Sequence, residues 1–311
     1  MSTKNIVPRA DGEGQLGTEQ KKWGAGYFSG KASVGSLESE GGVSGTTADF
    51  SGKASVGSLE SKGKDIDAKI TFLESITANH NAIYRGKYLG NALTAAQSAA
   101  IQAGNFDDLY IGDYWTINNV NYRIAAFDYY MDTGDTACTK HHVVVVPDTA
   151  LYNAQMNTTN VVTGGYVGSA MYKSNLTQAK NTITSAFGAA HLLTIRKFFT
   201  TATDPSWGFA TSSEWQDATV WLMNELCLYG CYVHTDMYHD YTKWTASKYT
   251  EDNTQYPLFS MNPNMIRRSR YSFWLRDVVS VAVFAVVSGY GDASYYSASY
   301  SLGVRPAFLV I

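Results

Sequence analysis

The sequence predicts an α+β fold, with a globular region from about residue 84 onward and a repetitive stretch before it. Three observations lead there. First, 45% of the 311 residues are apolar, enough to bury a sizeable core. Second, strand-like alternation and helix-like spacing both occur after Tyr84, without the regular rhythm that builds a parallel sheet. Third, the stretch Tyr271 to Ile311 runs from an apolar, β-branched segment into a tract of Tyr, Ser and Gly.

Residues 1 to 63 differ in kind from the rest. Phe28 to Ser39 reads Phe-Ser-Gly-Lys-Ala-Ser-Val-Gly-Ser-Leu-Glu-Ser, and Phe50 to Ser61 repeats all twelve residues at a period of 22. Each unit offers one Phe, one Val and one Leu, too little to offset the entropy of ordering the rest. The region therefore borrows burial from other chains, as a fibrous stem does, or serves as a flexible linker. Residues 64 to 83 follow as a short helical joint. Ile66, Ile70, Leu73, Thr77 and His80 keep a 4-3-4 spacing, and Ile76 and Ile83 widen the apolar face. Isoleucine at both core positions favours a trimeric coiled coil, and an amphipathic helix docked on its own domain is the alternative.

The globular region, 84 to 311, reads in order as follows. Thr94 caps a helix over Ala95 to Ala103 that stops at Gly104. Tyr114 to Ile117 and Val120 to Phe127 form a hairpin around Asn118-Asn119. His142 to Asp148 is a buried strand ended by Pro147. Helices are expected at Leu176 to Phe187 and at Glu214 to Leu228, the second capped by Ser213 with Trp215, Leu222 and Leu226 on one side. Val279 to Val287 reads as one strand, with Val281, Val283, Ala285 and Val287 on one face and Ser280, Ala282, Phe284 and Val286 on the other.

Charge and motifs exclude several classes. The formal charge of −3, without a basic run, argues against nucleic acid and anionic membrane as partners. No apolar leader follows Met1, and the apolar run near Val278 is far shorter than the ~20 residues of a spanning helix, so synthesis in the cytoplasm without a signal peptide is expected. Three cysteines, Cys138, Cys227 and Cys231, do not make a disulfide framework and read as buried free thiols. His141 and His142 precede a strand, one pointing inward and one outward. His234, Asp236, His239 and Asp240 fall within seven residues; they have the donor types for a divalent cation but no ligand from a second segment. No phosphate-binding loop, dinucleotide fingerprint or nucleophile motif is present, so no catalytic residue, cofactor or metal site is assigned.

The carboxy-terminal tract carries the binding reading. Tyr290, Tyr295, Tyr296 and Tyr300 stand among Ser, Gly, Ala and Asp, the composition of loops that grip ligands with rigid amphipathic side chains. Its flanks are Ser272-Phe273-Trp274-Leu275-Arg276-Asp277 and Gly303-Val304-Arg305-Pro306-Ala307-Phe308. A Trp-Leu-Arg-Asp start, a Tyr/Ser tract and a Gly-Val-Arg-Pro-Ala-Phe close resemble the variable region of proteins diversified by phage and bacterial diversity-generating retroelements. The resemblance extends over Tyr84 to Ile311, through Tyr84-Arg85-Gly86-Lys87-Tyr88-Leu89-Gly90, Ile111-Gly112-Asp113-Tyr114-Trp115, His141 to Asp148, Gly164 to Ser169 and Pro257-Leu258-Phe259. Val7 to Gly17 and Lys22-Trp23 resemble the particle-proximal end of phage tail fibres.

These resemblances imply a C-type-lectin-like head, related to formylglycine-generating enzymes, on a trimeric tail-fibre stem in the virion. They imply adhesion to a host-surface protein or glycan, with the amino-terminal region on the phage tail or baseplate. Adenine substitution in an asparagine codon reaches the residues at Val281, Val283, Ala285, Val287, Ser288, Tyr290, Asp292, Ser294, Tyr295, Tyr296, Tyr300 and Leu302. Those positions in the variable region 271 to 311 are the implied ligand surface, with Val283, Ala285 and Val287 as its apolar floor. Trp274, Arg276, Gly303, Arg305, Pro306 and Phe308 are the implied scaffold, Arg305 buried in hydrogen bonds or an ion pair. Formylglycine-generating chemistry needs paired cysteines near the carboxy-terminal end, and none follows Cys231. In the terminal region only Asp277 and Asp292 are acidic, so calcium-independent binding is expected. A tail-associated polysaccharide depolymerase and a structural tail component are the alternatives.

Overall fold

Residues 60–61, 64–65, 79–235, 252, 254–268 and 270–311 are described by the computed structural model, all within the unit Ser58–Ile311. The repeats of the expected stem and residues 66–78 of the expected coiled coil lie outside the described residues. At the edges of that joint, β1 (Glu60–Ser61) pairs with β2 (Lys64–Asp65), and His80–Ala82 is a single 3₁₀ turn followed by extended Ile83. His80 packs against its own chain. Its ring centroid lies 5.6, 5.1 and 5.3 Å from those of Phe106, Tyr110 and Phe127, and this end of the segment docks on its own domain.

Mixed α+β architecture is borne out, with sheet predominating. One seven-stranded sheet orders β11 (Val220–Leu222), β16 (Pro306–Val310), β6 (Val143–Pro147), β5 (Val120–Phe127), β4 (Tyr114–Ile117) and β3 (Tyr88–Gly90), and β8 (Leu192–Leu193) also pairs with β16. A five-stranded sheet orders β14 (Ala293–Ser297), β13 (Val283–Val287), β12 (Phe273–Ser280), β15 (Leu302–Val304) and β7 (Tyr152–Ala154). β9 (Ile195–Thr203) and β10 (Ala210–Ala218) form a separate hairpin. The helices are α1 (Ala95–Ala103), α2 (Gly165–Gly168), α3 (Leu176–Phe187), α4 (Glu225–Tyr229) and α5 (Pro257–Met261). None among the described residues is long and apolar enough to cross a membrane.

Local chemistry explains the elements read correctly. Asn118 and Asn119 both take positive φ, 51° and 63°, the primed turn that matches strand twist, and join β4 to β5 as expected. Thr94 accepts from the Gln97 amide while Gln97 reaches back to Thr94, and Gly104 closes α1 at φ 71°. α3 and the fully buried β6 also stand where the sequence places them.

Two expectations are corrected. Glu214 to Leu228 is not one helix: β10 and β11 occupy its first part and α4 alone is helical, capped by Asn224 rather than Ser213. Pairing with β9, which sets Trp215 against Phe198, overrides the local helical spacing. The run Val279 to Val287 is not one strand either. Ser280 pairs with Val283, so Val281 and Ala282 turn the chain between β12 and β13. Gly208 packs beneath that turn, where an added Cβ would stand 2.0 Å from the Ser280 carbonyl carbon.

Several of the quoted motifs form the interior ties. Arg85 reaches the fully buried Asp113 at 2.6 Å, which also accepts the Lys87 and Tyr110 amides, joining the segments at 84–90 and 111–115. Arg123 and Asp148 form a buried bidentate pair, 2.7 Å on both arms, between β5 and the end of β6.

Candidate functional site

The flanks of the tyrosine tract form a buried frame. Trp274 is fully buried in β12 and donates Nε1–H to the Ala154 carbonyl at 2.8 Å, tying β12 to the end of β7. Gly303 is held close to β12 and Ala150, where an added Cβ would come within 2.7 Å of the Ala150 Cβ. Arg305 is the single residue between β15 and β16, where the chain passes from one sheet to the other. Its guanidinium is fully buried, donates to the Pro147 and Ile266 carbonyls at 2.8 and 3.2 Å, and lies 5.1 Å from the Phe273 ring centroid. Burial lowers its pKa to about 10, with Asp148 opposing the shift. Among the described residues Arg305 is thus held by hydrogen bonds and not by a contact ion pair, and Pro306 and Phe308 continue buried into β16.

On this frame the β13–β14 hairpin carries the exposed aromatics. Tyr290 at its tip is 90% exposed, Tyr295 and Tyr296 on β14 are 52% and 38% exposed, and Tyr300 beyond it is 53% exposed. Tyr296 and Tyr300 meet at 5.4 Å between ring centroids. The tip is ordered by its own hydroxyls and amides. Ser288 Oγ donates to Asp292 at 2.5 Å and accepts the Tyr290 amide, and the Ser288 amide donates to the Asp292 carbonyl. Val281 is exposed at the β12–β13 turn, and Ser294 is half-buried.

The expected apolar floor is corrected. Ala285 and Val287 are fully buried, because β13 lies between β12 and β14 and both of its faces are covered. Val283 and Leu302 are partly buried, Leu302 packed against the core. These positions shape the hairpin from behind while Val281, Tyr290, Asp292, Tyr295, Tyr296 and Tyr300 reach solvent.

Sequence reasoning missed two neighbours of this surface. Trp207 is 73% exposed at the β9–β10 turn, next in sequence to Gly208, which packs against the Ser280–Val281 backbone. Asp204 accepts the amides of Ser206 and Trp207 there, so an Asp-Pro-Ser-Trp-Gly turn with an aromatic at its tip was the available signal. His234 packs edge-on against Tyr295, ring centroids 5.1 Å apart. Asp236, His239 and Asp240, its companions in the possible cation cluster, lie outside the described residues.

Buried carboxylates also organise the chain at Val233–Thr235 and at Asp252. Glu225 accepts the amides of Val233, His234 and Thr235 at 3.0 to 3.2 Å, and its own amide donates to Asp277 at 2.7 Å. Asp252 accepts from Lys197 and Tyr130 at 2.8 Å, from Cys227 Sγ at 3.3 Å, and from Arg276. Burial opposes ionisation of Asp252, but Lys197 and Arg276 outweigh it and hold the carboxyl down at about 2. Asp277 goes the other way, pushed up to about 7 by burial, with Arg276 opposing and Glu225 adding to the rise.

The remaining candidates resolve into structure. Cys138 and Cys227 are buried free thiols, whereas Cys231 is exposed, because it follows the Gly230 cap of α4. His142 is fully buried, accepts the Tyr130 amide at Nε2 and faces the Lys140 carbonyl with Nδ1, while His141 stays half exposed against Asp128. Clefts beside Asp108, Lys140 and Lys180 include no residue of the tract 281–302. Compared with family models, curated proteins and solved structures, the chain matches none.

Proposed function

We propose that this chain is an adhesin: a phage tail-fibre receptor-binding protein whose C-type-lectin-like head meets a host-surface ligand through a retroelement-diversified hairpin. The observation that carries the reading is the separation of roles within 41 carboxy-terminal residues, 271–311. Of the ten large apolar side chains exposed among the described residues, five fall between Val281 and Tyr300, while Trp274, Arg305 and Phe308 on either side are fully buried. A frame whose substitution costs stability thus brackets a tract whose exposed side chains can change with little effect on the fold. Tyrosines supply large contact area at low entropy cost, which suits a surface whose partner varies. Three heads on one trimeric stem would add avidity to weak single contacts.

The test replaces Tyr290, Tyr295, Tyr296 and Tyr300 together by Ala and measures retention of the purified full chain on cells that the parent particle infects. Loss of retention with an unchanged thermal midpoint supports adhesion through this surface. Unchanged retention supports a structural tail role. Hydrolysis of host polysaccharide by the same preparation would point to a depolymerase.

A further inference from the structure

The outer edge of β14 is an unguarded strand edge. β14 pairs with β13 on one side and, among the described residues, has no strand on the other. The Ala298 amide bonds to the Ala282 carbonyl and the Ser288 amide to the Asp292 carbonyl, which fixes the phase of the ladder. Ser294 and Tyr296 therefore turn their backbone groups toward β13, and Ala293, Tyr295 and Ser297 turn theirs outward. Ser297's carbonyl is taken by the Tyr300 amide, which leaves the amides of all three residues and the carbonyls of Ala293 and Tyr295 facing out.

Strand edges in native proteins are blunted by charge, proline, bulges or shortness. In this molecule β3, β7 and β11 are three residues long, and β9 and β10 carry Arg196, Lys197, Glu214 and Asp217. β14, by contrast, is Ala-Ser-Tyr-Tyr-Ser, with no charge, proline or register shift. Its consecutive tyrosines point to opposite faces, so a chain laid along the edge would meet one ring on either side.

We infer that the ligand of the diversified surface is an extended polypeptide segment of a host-surface protein, which adds a strand to β14. This rests on the adhesion reading and narrows it to a protein ligand. Outward amides recur every second residue, about 7 Å apart, the repeat of another extended backbone and not of a sugar ring. Diversification changes side chains and, proline apart, leaves these backbone groups in place. The edge would supply a constant hydrogen-bonding frame, and Tyr295, Tyr296 and their replacements would set which sequence is preferred.

The probe is a displayed library of random linear 12-residue peptides, selected on the full chain, with one enriched peptide labelled for affinity measurement. Ala293→Pro and Ser297→Pro each delete one outward amide without touching a ladder bond or a tyrosine, and edge strands tolerate proline. Each should weaken the peptide about 5- to 10-fold, the loss expected for one hydrogen bond, and together about 30-fold or more. Bound peptide should slow exchange of the Tyr295 amide in the wild-type chain at least about tenfold, a readout that survives if a proline variant fails to fold. No enriched peptide, equal affinity for the double variant, or unprotected Tyr295 would overturn the inference. So would a dimer joined edge to edge through β14 and dissolved by the prolines, which makes a second copy the occupant. Binding to immobilised polysaccharide that is lost in Tyr295→Ala but kept in both proline variants would overturn it too, and leave the adhesion reading standing.

Discussion

Substituting Asp252 by Ala should remove a large share of the stability of the globular region. The carboxylate sits between two buried cations, Lys197, which is fully buried, and Arg276, 9% exposed, and also accepts from Tyr130 and Cys227. Removing one partner of a buried ion pair costs about 3–5 kcal/mol, because the charge left behind has been stripped of water. The two lost hydrogen bonds add about 1 kcal/mol each, giving roughly 5–7 kcal/mol against a typical domain stability of about 5–15 kcal/mol. A globular region of this size loses about 2–4 °C per kcal/mol, so the thermal midpoint should fall by about 10–28 °C. Urea unfolding followed by tryptophan fluorescence and calorimetry measures both quantities. Because this carboxyl is held at about 2, below its unfolded value near 3.9, its contribution is complete above pH ~4 and is lost as pH falls through 2. The double variant with Lys197→Met should lose less than the sum of the two single substitutions, since Lys197 and Asp252 are in direct contact. A midpoint shift under about 3 °C, or strictly additive effects of the two substitutions, would refute the reasoning.

Three further outcomes follow from the same geometry. Arg305→Ala should cost about 3–5 kcal/mol by stranding the Pro147 and Ile266 carbonyls and opening a cavity between the sheets, visible as a lowered urea midpoint. Asp277 has its folded pKa raised to about 7, so the protonated form is favoured by folding and stability falls as pH rises from about 4 to 7. Asp277→Asn keeps an acceptor for the Glu225 amide and should flatten that slope, gaining about 1–2 kcal/mol at pH 8; a full three-unit shift is worth about 4 kcal/mol, discounted because Asp277 retains some exposure. Trp207→Ala should leave the thermal midpoint unchanged, as its ring is 73% exposed, and weaken cell retention by about tenfold if it serves as a fixed anchor at the β9–β10 turn.

What the sequence discloses depends on the range of the deciding interaction. The Asn118-Asn119 hairpin and the Thr94-to-Gly104 helix are legible because the residues that determine them are neighbours. Lys197, Asp252 and Arg276 form one cluster across 55 and 24 positions, and nothing local marks them as partners. Glu214 to Leu228 misleads for the same reason: a helical spacing of Trp215, Leu222 and Leu226 yields to a partner strand that begins at Ile195. In the candidate surface the tyrosines are read correctly as exposed, because their composition is that of a solvated tract. Ala285 and Val287 are not, because both faces of β13 are covered by the rest of the fold, which alternation along one strand cannot disclose. Nor can alternation tell an edge strand from a central one, so the exposed ladder of β14 is visible only in the fold.

The central claim is that Val281, Tyr290, Tyr295, Tyr296 and Tyr300 vary on a frame that does not. Deep sequencing of codons 270 to 311 across a population of the phage or its host tests it most directly. Substitutions should concentrate at these positions and at Val283, Ala285, Val287, Ser288, Asp292, Ser294 and Leu302, traceable to adenines of a nearby template repeat. At the buried Ala285 and Val287 only small apolar replacements should survive, and Trp274 and Gly303 to Phe308 should stay constant. Invariant codons, or changes spread evenly through frame and surface, would contradict it.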